Sequence, residues 1–238
     1  MLRAILRPIF LFLARLVMKA LIKVEVTGKE NLHYGGPLII VSNHFSWFEV
    51  PLLVMHLPYK ITFFAAAELA AQSKILRILF YPFDVIPVHR GQVDRTALRR
   101  AQEVLDEGRV LMIFPEGGID PDLRDVTASG QPVAMDEGQN SRLSAELITA
   151  RPGAAFLATR SQAHILPVSF LGTEQVLGNI SLRRRTLVKM CIGPAFGPLT
   201  TDPSLRGAAR REQLDHLGDV MMTHIAALLP EENRGPYA

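Results

Sequence analysis

Short β-rich apolar runs alternate with helical segments along most of this chain, and this alternation limits the fold more than any other feature of the sequence. Several of these runs are apolar throughout, as is typical of strands that are buried on both faces of a parallel sheet. The predicted strands are 37–41, 61–66, 85–88, 110–114, 165–170 and 187–192. Helical periodicity predicts helices at 47–56, 69–81, 96–107, 154–162 and 205–228. The pattern indicates one α/β domain with a mixed, mostly parallel sheet that is flanked by helices.

The composition excludes several classes of site. A chain of 238 residues that is 48% hydrophobic can bury a large core without disulfides. Cys191 is the single cysteine, so an intramolecular disulfide and a metal site made of several cysteines are both excluded. A net charge of +3 is mild, and we expect no nucleic-acid partner. No metal and no organic cofactor is implied.

The first 23 residues predict an amphipathic helix. Their cations recur at multiples of four and cover roughly half of a helical wheel; they are Arg3, Arg7, Arg15, Lys19 and Lys23. The longest uncharged run, 8–14, is far shorter than the roughly 20 residues that span a bilayer. No signal-peptide cleavage site ends the run. We expect a helix that lies in the membrane interface with its cations toward lipid head groups, and hence a peripheral or monotopic protein on the cytoplasmic face. The alternative is a helix that only packs on the domain.

Two segments interrupt the α/β pattern. Residues 119–149 form a long polar insertion that ends in a predicted helix at 142–149, and such an insertion is either functional or disordered. Residues 231–238 form a tail that we expect to be frayed. The α/β domain is therefore assigned to 24–230.

Asn43 and His44 follow the first strand, where open α/β sheets place their ligand crevices. If a helix begins near Ser46, Glu49 lies on its first turn and faces back toward the strand end. Its carboxylate can then hold one imidazole nitrogen of His44 and leave the other free to take a proton from a substrate hydroxyl. A histidine at a strand end is more often structural, and the spacing alone leaves both interpretations open.

A second carboxylate follows the strand 110–114. Glu116 is succeeded by Gly117 and Gly118, which let the backbone approach a ligand closely. The alternative is a tight turn with a solvated glutamate.

Two further strands carry candidate ligand contacts, one directly after its end and one within it. Arg90 follows the strand 85–88 and can pair with an anionic substrate group, with Glu116 or with Asp84. Pro167 lies in the strand 165–170, which either lines a groove for an acyl chain or is simply a strand. Glycine-rich phosphate loops, nucleophile elbows and zinc-binding spacings are absent from the sequence.

Taken in order, four blocks resemble those of the glycerophospholipid acyltransferase family, of the lysophosphatidic acid acyltransferase type. They are NHFSWFE, VIPVHRG, FPEGG and ILPVSF, and the likeness covers most of 26–178. It implies a fold like that of glycerol-3-phosphate acyltransferase, with His44 as the catalytic base and Glu49 as the carboxylate that orients it. The substrate contacts that it implies are Asn43, Arg90, Glu116, Gly117, Gly118 and Pro167.

The resemblance also implies an activity. It indicates an O-acyltransferase of phospholipid biosynthesis or remodelling that acts at a membrane surface. The donor would be acyl-CoA or acyl carrier protein, and the acceptor a hydroxyl of a lysophospholipid or related glycerolipid. Backbone N–H groups near Gly117 and Gly118 would bind the tetrahedral oxyanion.

The sequence departs from the family pattern at three places. Glu49 stands where the family has aspartate, Ile119 where its E-G-T-R block has arginine, and AAEL at 66–69 where it commonly has a lysine. Loss of two cations weakens the case for a phosphate monoester acceptor and leaves a glycolipid or aminolipid acceptor, or an inactive lipid-binding relative, as alternatives. Cations that can replace them are Arg124, Arg142 and Arg151.

Overall fold

The computed structural model describes residues 2–32, 35–67, 83–88, 94–119 and 141–238. In these ranges the helices are α1 (Leu2–Leu21), α2 (Glu49–His56), α3 (Arg95–Asp106), α4 (Pro152–Ser161), α5 (Val176–Ser181) and α6 (Gly207–Ala226). The strands are β1 (Ile22–Thr27), β2 (Leu38–Ser42), β3 (Ile61–Ala66), β4 (Asp84–Val88), β5 (Val110–Ile113), β6 (His164–Leu171) and β7 (Thr186–Ile192).

The described strands form one sheet in the order β1-β7-β6-β2-β5-β3-β4. The five strands from β6 to β4 are parallel, whereas β7 is antiparallel to β6 and pairs in parallel with β1. The predicted mixed, mostly parallel sheet is confirmed. β1 is not predicted, because its first two residues were assigned to the N-terminal helix, although its exposed Lys23 and Glu25 alternate with half-buried valines in the manner of an edge strand. The N-terminal helix accordingly ends at Leu21.

β2 lies in the middle of the sheet, and this position explains why its sequence is apolar from Leu38 to Val41. Ile39 and Val41 face a hydrophobic cluster that includes residues of α3, α4 and α6. Leu38 and Ile40 face a second cluster, which includes residues of α1 and α2. Since both faces of the strand are covered by helices, the positions from Leu38 to Val41 favour apolar side chains.

Capping residues mark both ends of the helix α3. The Asp94 carboxylate accepts a hydrogen bond from the Ala97 N–H at 2.9 Å, and Gly108 follows the helix with a φ of 70°. The predicted helix at 69–81 lies outside the described residues.

The predicted helix at 142–149 is wrong. The segment from Arg142 to Ala150 has no helical structure, because its backbone groups bond to distant parts of the chain. The Arg142 N–H donates to the Phe45 carbonyl at 2.7 Å, and the Leu147 N–H donates to the Asn233 carbonyl at 3.1 Å.

The tail segment 231–238 is not frayed, contrary to the sequence-based expectation. It forms two 3-10 turns that pack on the segment before α4. The Asn233 amide donates to the Ala145 carbonyl at 2.7 Å, and the Tyr237 hydroxyl accepts from the Ala150 N–H at 3.1 Å. These long-range partners, which a polar sequence does not reveal, hold the tail in place.

The helix α1 has two apolar faces. Leu11, Ala14, Met18 and Leu21 pack against the second hydrophobic cluster. The opposite face forms an exposed apolar stripe in which each side chain is more than half exposed: Ile9, Phe12, Leu13, Leu16 and Val17. The solvent-facing side of α1 therefore carries more exposed apolar side chains than the predicted cationic face implies. Within the described ranges, no helix is both long and apolar enough to cross a membrane.

Candidate active site

His44 and Glu49 meet at the carboxyl end of β2. His44 lies two residues beyond the strand, and Glu49 is the first residue of α2, so its side chain reaches back. The imidazole Nδ1 lies 2.9 Å from Oε2 of Glu49. Because a carboxylate only accepts, Nδ1 carries the proton and the lone pair of a neutral ring is on Nε2. The side chain of His44 is 15% exposed and that of Glu49 is fully buried, so only the imidazole is accessible to a substrate.

Hydrogen-bond donors surround the Glu49 carboxylate. Oε1 accepts from the backbone N–H groups of Phe45 at 3.2 Å and Ser46 at 2.8 Å, and also from the Thr173 hydroxyl. Burial raises the pKa of Glu49, while the bonds from His44, Thr173 and Ser46 act in the opposite direction. The extra methylene of glutamate relative to aspartate is used here to reach both the imidazole and the backbone before α2.

Two contacts with the end of β5 fix the imidazole. The ring stacks on Phe114, with a centroid distance of 3.7 Å and an interplanar angle of 5°. The backbone N–H of His44 donates to Oε2 of Glu116 at 2.6 Å. The structure thus brings together the two carboxylates that the sequence places 67 positions apart (116 − 49).

Glu116 is buried, so its interpretation as a solvated turn residue is wrong. Its Oε1 accepts from Nη1 of Arg142 at 2.9 Å and from the Ile148 N–H at 3.1 Å. The turn around it closes with a bond from the Gly117 N–H to the Phe114 carbonyl at 3.0 Å. Gly117 has a φ of 76°, and a Cβ at this position would lie 2.6 Å from Cδ of Arg151. A side chain at 117 is therefore excluded by both conformation and space.

Arg142 is committed to protein contacts. Besides Glu116, its guanidinium donates to the carbonyl groups of Ile119 at 2.7 Å, Glu146 at 2.6 Å and Gly118 at 3.4 Å. It is 6% exposed. Arg142 therefore holds the turn that carries Glu116, and it is poorly placed to replace the missing arginine as an anion ligand. No local sequence signal marks this role, because the pairing spans 26 positions.

Asn43 and Pro167 are buried in the sheet. The Asn43 amide donates to the Phe170 carbonyl at 2.9 Å and accepts from the Phe170 N–H at 2.8 Å, which extends the pairing of β2 with β6. Pro167 lies opposite Val41 in the interior of β6. Their roles as substrate contacts stay predictions. Arg90 and Arg124 lie outside the described residues.

Two site residues were missed by the sequence analysis. Phe114 stacks on the imidazole, although it was read only as the end of a strand. Thr173 follows β6 and donates to Glu49 across 124 positions. A polar residue directly after a predicted strand is the signal that could have identified Thr173, as it did His44.

Comparison with known proteins gives relatives of one kind. The lyso-ornithine lipid O-acyltransferase of Pseudomonas aeruginosa is 28% identical over 170 residues, which are 71% of this chain and 60% of that protein. The 1-acyl-sn-glycerol-3-phosphate acyltransferases of Bacillus subtilis and Borreliella burgdorferi are each 33% identical over 40% of this chain. These matches span 47% and 39% of the two enzymes, so the chain covers less than two thirds of all three curated relatives.

The fold has a counterpart of known structure. The crystal structure of the 1-acyl-sn-glycerophosphate acyltransferase PlsC from Thermotoga maritima matches with a TM-score of 0.60 at 20% sequence identity. The match covers 92% of this chain and 78% of that protein, and it shows a shared fold. The profile of the family described as Acyltransferase matches residues 23–171, which include both His44 and Glu116. The chain therefore belongs to the acyltransferase family.

Proposed function

We propose that the protein transfers a fatty acyl group from a thioester donor to a hydroxyl of a lysophospholipid or related glycerolipid, with His44 as the general base. The observation that carries this proposal is the 2.9 Å bond between Nδ1 of His44 and the buried Glu49 carboxylate, which leaves Nε2 of a partly exposed ring free of that bond. The donor is acyl-CoA or acyl carrier protein.

The reaction follows from the positions of these groups. Nε2 of His44 takes the proton of the acceptor hydroxyl while the hydroxyl oxygen attacks the thioester carbonyl. Glu49 stabilises the imidazolium that forms. The tetrahedral intermediate then collapses, the carbon–sulfur bond breaks, and the leaving thiolate takes the proton from the imidazolium. No acyl-enzyme is needed, because the thioester is already activated.

The oxyanion requires a hydrogen-bond donor. The Gly117 N–H is engaged in the turn with Phe114, so the Gly118 N–H is the better candidate of the two glycines. Its place directly after Glu116 puts it on the same turn that contacts His44.

A non-phosphomonoester acceptor is a second candidate, and the bonding of Arg142 favours it. This guanidinium donates to four protein acceptors, and Ile119 is 6% exposed at the place where the family carries its arginine. A phosphate monoester loses a charge-assisted bond that is worth roughly 1.5 to 3 kcal/mol for each absent cation. An aminolipid acceptor fits both this arrangement and the similarity to an enzyme named for lyso-ornithine lipid.

The exposed apolar stripe of α1 supports peripheral attachment to a membrane, and the cytoplasmic face is the one that we propose. Arg15 and Lys19 are exposed on the same helix, and they can approach anionic head groups while the stripe enters the apolar layer. This geometry would deliver lipid substrates to a protein that has no spanning helix in its described part.

An assay with two radiolabelled donors tests the activity. Purified protein is given one donor, which is acyl-CoA or acylated acyl carrier protein with the label in the acyl group. The acceptor is lysophosphatidic acid, lysophosphatidylglycerol, lyso-ornithine lipid or glycerol 3-phosphate. We expect labelled product with at least one lysolipid, and a loss of roughly 100- to 10,000-fold in His44→Ala. A folded His44→Ala that keeps the wild-type rate would exclude the proposed base. Lipid binding without any turnover would support the alternative of an inactive relative.

A further inference from the structure

The turn that joins α5 to β7 carries a cationic surface that the proposed mechanism does not use. We name residues 182–185 the arginine turn, and its sequence is Leu182-Arg183-Arg184-Arg185. All four residues are exposed. Residues 176–189 contain four basic residues and no acidic one. In the described part of the chain, neither Arg183 nor Arg184 takes part in an ion pair.

The topology places the arginine turn at the same end of the sheet as His44, where the carboxyl ends of the parallel strands lie. β2 and β6 are parallel, so the carboxyl end of β6 lies beside the end of β2, where His44 follows. Thr173 begins the connection from β6 to α5 and donates to Glu49. β7 is antiparallel to β6 and therefore starts at this end of the sheet, directly after the turn.

The backbone of the arginine turn is tightly defined. The Arg184 N–H donates to the Asn179 carbonyl at 2.8 Å and the Arg183 N–H to the Ile180 carbonyl at 3.0 Å, which is a Schellman motif. Arg183 has a φ of 53°, at a position that usually holds glycine. A long cation thus occupies a left-handed site where a smaller residue would be less strained.

Apolar side chains accompany these cations. Leu182 is 63% exposed, and three neighbours are between 36% and 46% exposed: Leu177, Ile180 and Leu187. The nearest acidic residues along the chain and in the sheet are already bonded. Glu174 accepts from the Gly172 N–H, and Glu25 pairs with Lys23.

The arginine turn is also joined to the end of α1. Nη2 of Arg185 donates to the carbonyl of Ile22 at 3.2 Å, immediately after the helix that carries the exposed apolar stripe. The turn therefore lies close to the end of the helix, and a lipid surface that receives one of them lies close to the other.

We propose that the arginine turn is a second membrane contact that binds anionic lipid and holds the end of the sheet that carries His44 against the bilayer. The pairing of exposed leucines with unpaired arginines favours a lipid surface over an acidic protein, because an acidic partner would not need the apolar groups. The inference rests on the proposed function only in taking a lipid as the substrate.

Vesicle binding tests this contact without relying on activity. The full chain and Arg183→Gln/Arg184→Gln are sedimented with vesicles of phosphatidylcholine containing phosphatidylglycerol, and with phosphatidylcholine alone. We expect the variant to bind the anionic vesicles roughly 20- to 30-fold more weakly, at about fivefold for each arginine. Arg99→Gln/Arg100→Gln on α3 removes the same charge from an exposed site on the other face and should bind like the wild type. Leu182→Ser should weaken binding to both vesicle types.

Equal binding of the wild type and Arg183→Gln/Arg184→Gln to anionic vesicles would overturn the proposal, as would an equal loss in the α3 control. A variant that binds vesicles normally but has a higher KM for acyl carrier protein would instead assign the turn to the donor. Turnover of micelle-dispersed substrates should stay within about twofold of the wild-type rate. A large loss there would show that the turn supports catalysis and not membrane contact.

Discussion

Replacing Glu49 by glutamine should reverse the tautomer of His44. In the wild type, Oε1 of Glu49 accepts from the Phe45 and Ser46 N–H groups and from the Thr173 hydroxyl, while Oε2 accepts from Nδ1 of His44 and from the same Ser46 N–H at 3.0 Å. The carbonyl oxygen of glutamine will keep the Oε1 position, because three donors point at it and the Ser46 N–H, which also approaches Oε2, is 0.2 Å closer to Oε1. The amide NH₂ then takes the Oε2 position and donates to Nδ1, so the proton of the ring moves to Nε2.

A ring with its proton on Nε2 has no lone pair there and cannot act as the base. Changing the carboxylate of a catalytic triad to an amide costs roughly 10⁴ in kcat for this reason. We expect Glu49→Gln to lose about 10³- to 10⁴-fold in kcat, close to the loss in His44→Ala. The KM for either substrate should change little, since Glu49 is fully buried and does not contact them.

The measurement is the steady-state rate of acyl transfer with the best donor and acceptor pair. Glu49→Asp is the matched control, because it keeps the charge and the tautomer but shortens the side chain, and it should retain more activity than the glutamine variant. Circular dichroism and a thermal melt establish that both are folded. If Glu49→Gln stays within about tenfold of the wild type, the tautomer argument fails.

The remaining predictions concern the pH dependence of stability, the buried ion pair and α1. Because burial raises the pKa of Glu49, the folded state holds its proton more tightly than the unfolded chain does. Relative to Glu49→Gln, the unfolding free energy of the wild type should therefore rise as the pH falls toward 4.5, level off below it, and decline as the pH increases. Urea titrations in which the two proteins give parallel curves against pH would contradict this. Arg142→Met should lower the unfolding free energy by about 3 to 5 kcal/mol because Glu116 keeps a buried charge, and adding Glu116→Gln should restore part of the loss in the same titration. Phe12→Ser/Leu16→Ser should reduce sedimentation with vesicles and leave the melting temperature unchanged; unaltered binding would exclude the stripe as an anchor.

The position of the candidate site could be predicted, because its blocks contain or follow short apolar strands and their order resembles that of the family. His44, Glu49 and Glu116 come together since the carboxyl ends of β2 and β5 are adjacent in the sheet. The contacts that fix these three residues were harder to predict from the sequence. Arg142 reaches Glu116 from within the long insertion, and the sequence there suggested a helix instead. The family resemblance made Asn43 a substrate contact, which stays a prediction; the bonds of its amide to Phe170 inside the sheet could not be read from the sequence.

The N-terminal segment shows a different limit. The spacing of its cations correctly indicated a helix, but a helical wheel does not reveal which arc the domain covers. Leu11, Ala14, Met18 and Leu21 occupy one arc and leave the apolar stripe outward, so the surface that faces solvent depends on tertiary packing and not on the local pattern. β1 was missed for a related reason, because only its pairing with β7 separates Lys23 from the helix.

The docking of the tail segment gives the order in which the site can be completed during synthesis. Tyr237 and Asn233 hold the segment before α4, and the Ile148 N–H of that segment donates to Glu116, whose other oxygen holds the backbone of His44. A ribosome releases these tail residues after every described strand of the sheet. A nascent chain can therefore pair its described strands while the backbone of His44 still lacks this support, and the candidate site can gain it only after Tyr237 has emerged from the ribosome.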